Sequence, residues 1–296
     1  MKLIVPEKVE EPALTSDVPL DETAWTAGTY ATGVVRRVGI ELYEVVAVPD
    51  TDDEPIAGSQ LEPPSWLHIG KANRWRMFDD RIESQTEKSD SIEVEIETVG
   101  LVNGLAGFNI EARSVHVKLT DATDGVVYDR EISMRDNSEV VDFYSWVFAP
   151  IVEKSDFVLT DLPSYPGAVL AVDIIAEGDV ARCGQIVLGY LRNIGTTQPD
   201  TQVGILSFSR RDRDEFGNTI LIKRPFARRG DFRVFIRTSQ VGSAIRLLAK
   251  LDAVPVVYIG SDTYEETVIY GFCRDFFATY KSRDGSEFSM QIEGLV

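Results

Sequence analysis

Polar and apolar residues alternate along much of this chain. Ile92, Val94 and Ile96 alternate with Glu93, Glu95 and Glu97, which predicts a strand buried on one face and charged on the other. Val115, Val117 and Leu119 alternate with His116 and Lys118 in the same way, and Asp124-Gly125 supplies a hairpin turn into a strand over 126–128. Further β-type runs are expected at 140–148, 157–159, 168–176 and 185–191, then at 204–210, 219–223, 232–236, 256–259, 267–280 and 288–292. One stretch has a helical period instead. Val241, Ala244, Ile245 and Leu248 share a face, Thr238 or Ser239 can cap them, and Pro255 ends them. Near the start, short β runs at 34–35 and 38–43 flank Gly33 and Gly39, a hairpin signature.

The expected fold class is therefore mainly β. It comprises an antiparallel jelly-roll-like β-sandwich, a C-terminal β-sandwich or barrel domain with one inserted helix (about 239–253), and a small N-terminal β module. The expected division is an extended arm and aromatic module over 1–62, the sandwich over 63–198, and an oligomerising β domain over 199–296. The arm, acidic and carrying Pro6, Pro12 and Pro19, is expected to order only against a neighbour.

Charge sharpens this division. Residues 1–62 carry a net −9, 63–200 a net −11, and 201–296 a net +2. An acidic surface argues against nucleic-acid recognition, and the near-neutral last third suggests contact with other subunits. No apolar run reaches the roughly eighteen residues of a membrane span, and the N-terminus has no signal-peptide core, so no export is expected. Cys183 and Cys273 read as two small apolar residues rather than a disulfide or zinc site.

The candidate chemistry is sparse. Asp79/Asp80, Asp121/Asp124 and Asp212/Asp214 are carboxylate pairs of the kind glycosidases use, but Asp-rich turns are usually only turns. His68 and His116 lack a nucleophile motif, and Asp212-x-Asp214-x-x-Gly217 lacks the spacing of a calcium loop. No catalytic residue, metal or cofactor is expected. Arg229-Gly230-Asp231 reads as part of a strand. The run Lys223, Arg224, Arg228 and Arg229 is a positive strip in an acidic protein, either a subunit interface or a charged strand edge that resists aggregation.

The aromatics are more informative. Trp25, Tyr30, Gly33 and Tyr43-Glu44 resemble the small chitin- and cellulose-binding modules of polysaccharide-degrading enzymes, which implies ring stacking on sugar. Alternatively they form the module's own core. The stretch 66–80 holds Trp66, His68, Trp75, Met77, Phe78 and the Asp79-Asp80 pair with no simple period. It is either a ligand platform or an irregular plug closing one end of the sandwich. Burial is the preferred reading, since buried aromatics are the commoner case. Trp25, Tyr30, Tyr43, Trp66 and Trp75 are the candidate carbohydrate-binding set.

The pattern Trp66-Leu67-His68-Ile69-Gly70-x-x-Asn73-Arg74-Trp75-x-Met77-Phe78-Asp79 resembles a motif that recurs in tail proteins of long-tailed bacteriophages and prophages, often described as carbohydrate-binding or virion structural proteins. Asp214-Glu215-Phe216-Gly217-Asn218, Arg224-Pro225-Phe226-Ala227, Pro255-Val256-Val257-Tyr258, Tyr270-Gly271-Phe272 and Ile292-Glu293-Gly294-Leu295 look like the same group. The resemblance implies a non-enzymatic virion component of a tail tip or baseplate, assembled in the host cytoplasm. Its partners would be copies of itself in a ring and other tail proteins (tube, hub, fibres). The alternative is a module that recognises host-surface glycan.

Overall fold

A computed structural model of the chain describes residues 1–47, 50–136, 142–148, 152–213 and 215–296. The mainly β expectation holds: strands are antiparallel, and among the described residues only Val241–Lys250 is a helix of seven residues or more.

Two sheets face each other in the centre. One contains Leu14–Ser16, Thr86–Glu97, the first part of Val169–Asn193, Ser114–Asp121 and Gly125–Ser133. The other is built from the second part of Val169–Asn193 with Gly104–Glu111 and Phe157–Leu159. Period-two alternation turns Ile92, Val94, Ile96, Val115, Val117, Leu119, Leu170, Val172 and Ile174 inward from the first sheet. Leu105, Ile110, Cys183, Ile186 and Leu188 meet them from the second. The expected strands at 168–176 and 185–191 are one element, Val169–Asn193, which passes from one sheet to the other. The crossing point is an irregularity between Ile175 and Val180, where Glu177 and Gly178 both take positive φ (48° and 88°).

The N-terminus is placed where the sequence did not suggest. Lys2–Pro6 is not an arm waiting for a neighbour. It pairs with 189–193 on one side and with Val256–Ile259 on the other. Adjacent Leu3 and Ile4 point to opposite faces, and both are fully buried in different clusters. Through this strand the second sandwich sheet continues into the C-terminal one, which adds Val268–Tyr280, Gly285–Gly294 and Phe226–Arg237.

The helix Val241–Lys250 covers one face of that C-terminal sheet. Val241, Ala244 and Leu248 pack against Phe232, Val234, Ile236, Phe288 and Met290, as the spacing requires. Its capping differs from expectation. Thr238–Gln240 form a 3-10 turn, Gln240 is the N-cap without a side-chain cap bond, and Thr238 Oγ1 instead lies 2.8 Å from Ser286 Oγ.

The N-terminal module is a three-stranded meander. The expected hairpin forms from Val35–Val38 and Glu41–Val45, turning at Gly39 with φ +60°. Trp66–Lys71 adds the third strand, so the module's sheet runs past the expected boundary at residue 62. Residues 140–148 do not form the expected strand: Phe143–Phe148 is a short helix, and 140–141 lie outside the described residues. No described helix is long and apolar enough to cross a membrane.

Candidate functional site

Two surfaces compete for a functional role, the aromatic stretch around 66–80 and the basic strip near 223–229. The structure treats them in opposite ways.

In the first, Trp66 closes the module. Its side chain is 0% exposed, and its Nε1 donates to the Asp53 carbonyl at 2.9 Å. Tyr30 packs edge-on against it at 5.6 Å, and the Arg36 guanidinium sits 4.9 Å from the Tyr30 ring centroid. Trp75 is only 3% exposed and packs against Phe78 at 6.1 Å. A ring with no free face cannot stack on a sugar, so Trp66 and Trp75 leave the candidate carbohydrate-binding set. Tyr43 is half-buried against His68, whose Nε2 lies 2.6 Å from Glu41 Oε2. Trp25 is half-buried, with its indole nitrogen enclosed and unbonded among the described residues. The five aromatics form no shared platform: Tyr30 touches Trp66, and Trp75 packs elsewhere.

The rest of the motif explains why these residue types sit together. Asn73 begins a 3-10 turn, Asn73–Phe78, that lies against Thr86–Glu97. Its side-chain amide donates to the Glu87 carbonyl at 2.8 Å and accepts from the Glu87 amide at 2.9 Å. Thr86 Oγ1 donates to the Asn73 carbonyl and accepts from the Met77 amide. Arg74 Nε donates to the Val18 carbonyl at 2.6 Å. At the far end, Tyr270 donates its hydroxyl to Asp80 Oδ1 at 2.5 Å, and the Asp80 amide donates to Gln185 Oε1. Burial pushes the Asp79 carboxyl above its usual range, and burial followed by Asp80 pushes the Tyr270 hydroxyl up further. The stretch therefore bonds the module, the sandwich and the C-terminal sheet to one another. It is a joint.

The other carboxylate pairs are turns or incomplete. Asp121 accepts from the Thr123 and Asp124 amides at a hairpin tip, which holds its carboxyl below the usual range. Asp212 pairs with Arg210 at 2.6 Å, while Asp214, needed for the calcium-loop pattern, lies outside the described residues. His116 bridges Asp129 at 2.7 Å and Asp173 at 3.3 Å on the outer face of the sandwich, which raises its pKa. Cys183 is fully buried. Cys273 is half-buried, and desolvation pushes its thiol up to about 11. Among the described residues, no three His, Cys, Asp or Glu side chains converge as metal ligands.

The second surface is a two-stranded ribbon. Gln202–Ser207 pairs with 226–231, and beyond it Arg210–Arg213 pairs with Thr219–Ile222. Ser209 Oγ and the Arg224 backbone exchange hydrogen bonds that bridge the two ladders. Consecutive Ile220, Leu221 and Ile222 are all exposed, Leu221 at 70%, as are Val203, Ile205, Phe216 and Phe226. Neighbours along a strand point to opposite faces, so the outer segment at 219–222 is open on both faces, whereas 229–231 also pairs with Gly285–Gly294 and Ala227 is buried.

The basic strip divides on this ribbon. Arg228 contacts Asp156 of the sandwich and donates to the Val268 carbonyl, so it ties this chain together and is spent internally. Arg229 pairs with Asp231 at 3.5 Å, which accounts for the Arg-Gly-Asp tripeptide as a strand contact. Lys223 and Arg224, with Arg211 and Arg213, make no ion pair among the described residues.

A third surface lies outside both candidates. Arg135–Asp136 and Val152–Glu153 form a two-stranded neck, and between them Phe143–Phe148 exposes Phe143, Tyr144, Trp146, Val147 and Phe148. Phe143 stacks on Trp146 at 6.0 Å and Tyr144 meets Phe148 at 4.7 Å. The sequence carries a signal for it: Phe143 and Trp146 sit three apart and Tyr144 and Phe148 four apart, a helical spacing rather than a period of two.

No family model matches the chain, and no curated protein matches it. Among solved structures, chitosan-binding module 1 of a chitosanase/glucanase from Paenibacillus sp. IK-5 is similar over 40% of this chain and 84% of that one, at 8% identity and a TM-score of 0.27. Likeness at that level carries no argument about fold or function.

Proposed function

We propose that this chain is a non-enzymatic structural component of a phage tail tip or baseplate, built as a homo-oligomeric ring that connects the tail tube to receptor-binding parts. The observation that carries this reading is the ribbon over 202–231. Its outer segment, Arg210–Arg213 with Thr219–Ile222, is a two-stranded ribbon of a kind that is marginal in water, and the exposed apolar side chains along it mark a surface made to be covered. Its charge supports another copy as the cover. The ribbon holds seven Lys or Arg and four Asp or Glu, a net of +3, on a chain whose total is −18. Opposite potentials on one molecule favour self-association in which one copy's ribbon meets another's acidic body. The motif at 66–79 supports the tail assignment by resemblance, and its role as a joint suits a scaffold. Recognition of host-surface glycan keeps only Trp25, Tyr30 and Tyr43, and no single observation favours it.

Native mass spectrometry and light scattering of the full chain test this reading. The expected result is a discrete closed oligomer that weakens as salt rises. A monomer at every concentration, together with single copies in the isolated particle, would overturn it.

A further inference from the structure

The aromatic helix at the tip of the 135–153 excursion needs an occupant of its own. Helices this short do not hold themselves in water, and Phe, Tyr, Trp and Val are poor formers of them. Neither the sandwich nor the ribbon of the same chain covers it. Yet the two exposed features rise from one place: Asp136 and Glu153 of the neck line the same cleft as Val203, Ile205 and Arg228 at the ribbon's base.

We propose that the aromatic finger of one copy packs on the ribbon of a second copy. The surfaces match in two independent respects. Both present apolar side chains on a narrow protrusion: Trp146, Phe143 and Phe148 on one, Ile205, Leu221 and Phe226 on the other. Their charges also oppose. The finger and neck carry Asp136, Asp142 and Glu153 against Arg135, whereas the ribbon presents Arg211, Arg213, Lys223 and Arg224 without ion pairs among the described residues. The outer face of the sandwich is a poorer cover for the ribbon, because Glu93, Glu95 and Glu97 offer charge but no apolar area. An anionic bilayer is a poorer cover for the finger, because the neck would face like charge. Finger and ribbon are different surfaces, so the finger of each copy on the ribbon of the next is a heterologous contact, the kind that repeats around a ring.

This inference rests on the oligomeric reading above, and the test separates the two. A photoreactive benzoylphenylalanine at position 146, with one population of full-length chains isotope-labelled, should cross-link between chains and land within 202–231. The double substitution Trp146→Ser with Phe148→Ser should raise the dissociation constant of the assembly at least about tenfold, since buried aromatics dominate interface energetics. An oligomer whose cross-links fall elsewhere or only within one chain, or whose affinity ignores the double substitution, sinks the finger contact and leaves the ring reading standing. A chain that stays monomeric sinks both. Binding of the unassembled chain to phosphatidylcholine vesicles, with Trp146 as the reporter, would assign the finger to lipid and overturn the contact.

Discussion

The stretch 66–80 and the ribbon 202–231 draw on the same residue types, aromatic and aliphatic side chains interleaved with Arg and Lys, and the fold uses them oppositely. In the first, Trp66, Trp75 and Met77 are buried and the polar residues bond backbone groups of three different regions. In the second, Ile205, Leu221 and Phe226 face water, and Arg211, Arg213, Lys223 and Arg224 make no ion pair among the described residues. Composition therefore does not tell a buried joint from an exposed ribbon. The difference lies in where the polar atoms go. Asn73 satisfies a neighbouring strand's amide and carbonyl, whereas the ribbon's outer strands, Arg210–Arg213 and Thr219–Ile222, pair only with each other among the described residues.

The largest test of that contrast is Trp66→Ala. Removing a fully buried indole, and with it the bond to the Asp53 carbonyl, should cost about 3–5 kcal/mol of stability. Urea denaturation of the full chain reads this directly. A loss within about 0.5 kcal/mol, the range of an ordinary surface change, would mean that the joint does not depend on its tryptophan.

Asn73→Ala comes next. It leaves the Glu87 amide and carbonyl without their side-chain partner, an expected cost of about 1–3 kcal/mol. Asn73→Asp refines the reading, because a carboxylate still accepts from the amide but cannot donate to the carbonyl. Its cost should fall between those of wild type and the alanine variant. A cost equal to that of alanine would show that the accepted bond contributes nothing.

Tyr270 gives the joint a pH signature. Its hydroxyl is held neutral by burial and by Asp80, and that of Tyr258 chiefly by burial, so both folded-state pKa values lie above the ordinary 10.0. A raised pKa stabilises the fold fully below the unfolded value and is lost as pH climbs above it. Stability should therefore be flat up to about pH 9 and fall beyond pH 10. Tyr270→Phe should cost about 1 kcal/mol near neutrality and reduce that alkaline slope. Phenolate absorbance during the titration checks it. Tyrosines that all ionise together near pH 10 in the folded protein would contradict the burial argument.

What the chain reveals in advance follows the range of the interactions. Alternation at 92–96 and 115–119 and the helical face at 241–248 are local, and each led to the right element. Lys2–Pro6 is short, and its partners lie more than 180 residues away, so nothing nearby marks it as a central strand. The same is true of Trp66, whose burial depends on Tyr30 and Asp53, and of Arg228, spent on Asp156. The basic strip is visible as charge, but only the fold separates Arg228 and Arg229, which are paired, from Lys223 and Arg224, which make no ion pair among the described residues. The aromatic finger suggests a strand because β-type residues dominate 140–148; only the three- and four-residue spacing of its aromatics points to a helix, and over six residues that cue is short.

The smallest expected effect on folding is also the sharpest test of the comparison. Leu221→Ser changes a side chain that touches water on the outer segment of the ribbon, so unfolding of the isolated monomer should shift by less than about 0.5 kcal/mol. If the ribbon is an interface, the same change should weaken assembly, because serine removes apolar area that a partner would bury. Unfolding measured under dilute, monomeric conditions and association measured at high concentration should therefore disagree for Leu221→Ser. For Trp66→Ala the damage should be present in both. A Leu221→Ser protein that unfolds early as a monomer would mean that the ribbon folds back on its own chain in solution. The contrast between joint and interface would then have to be redrawn.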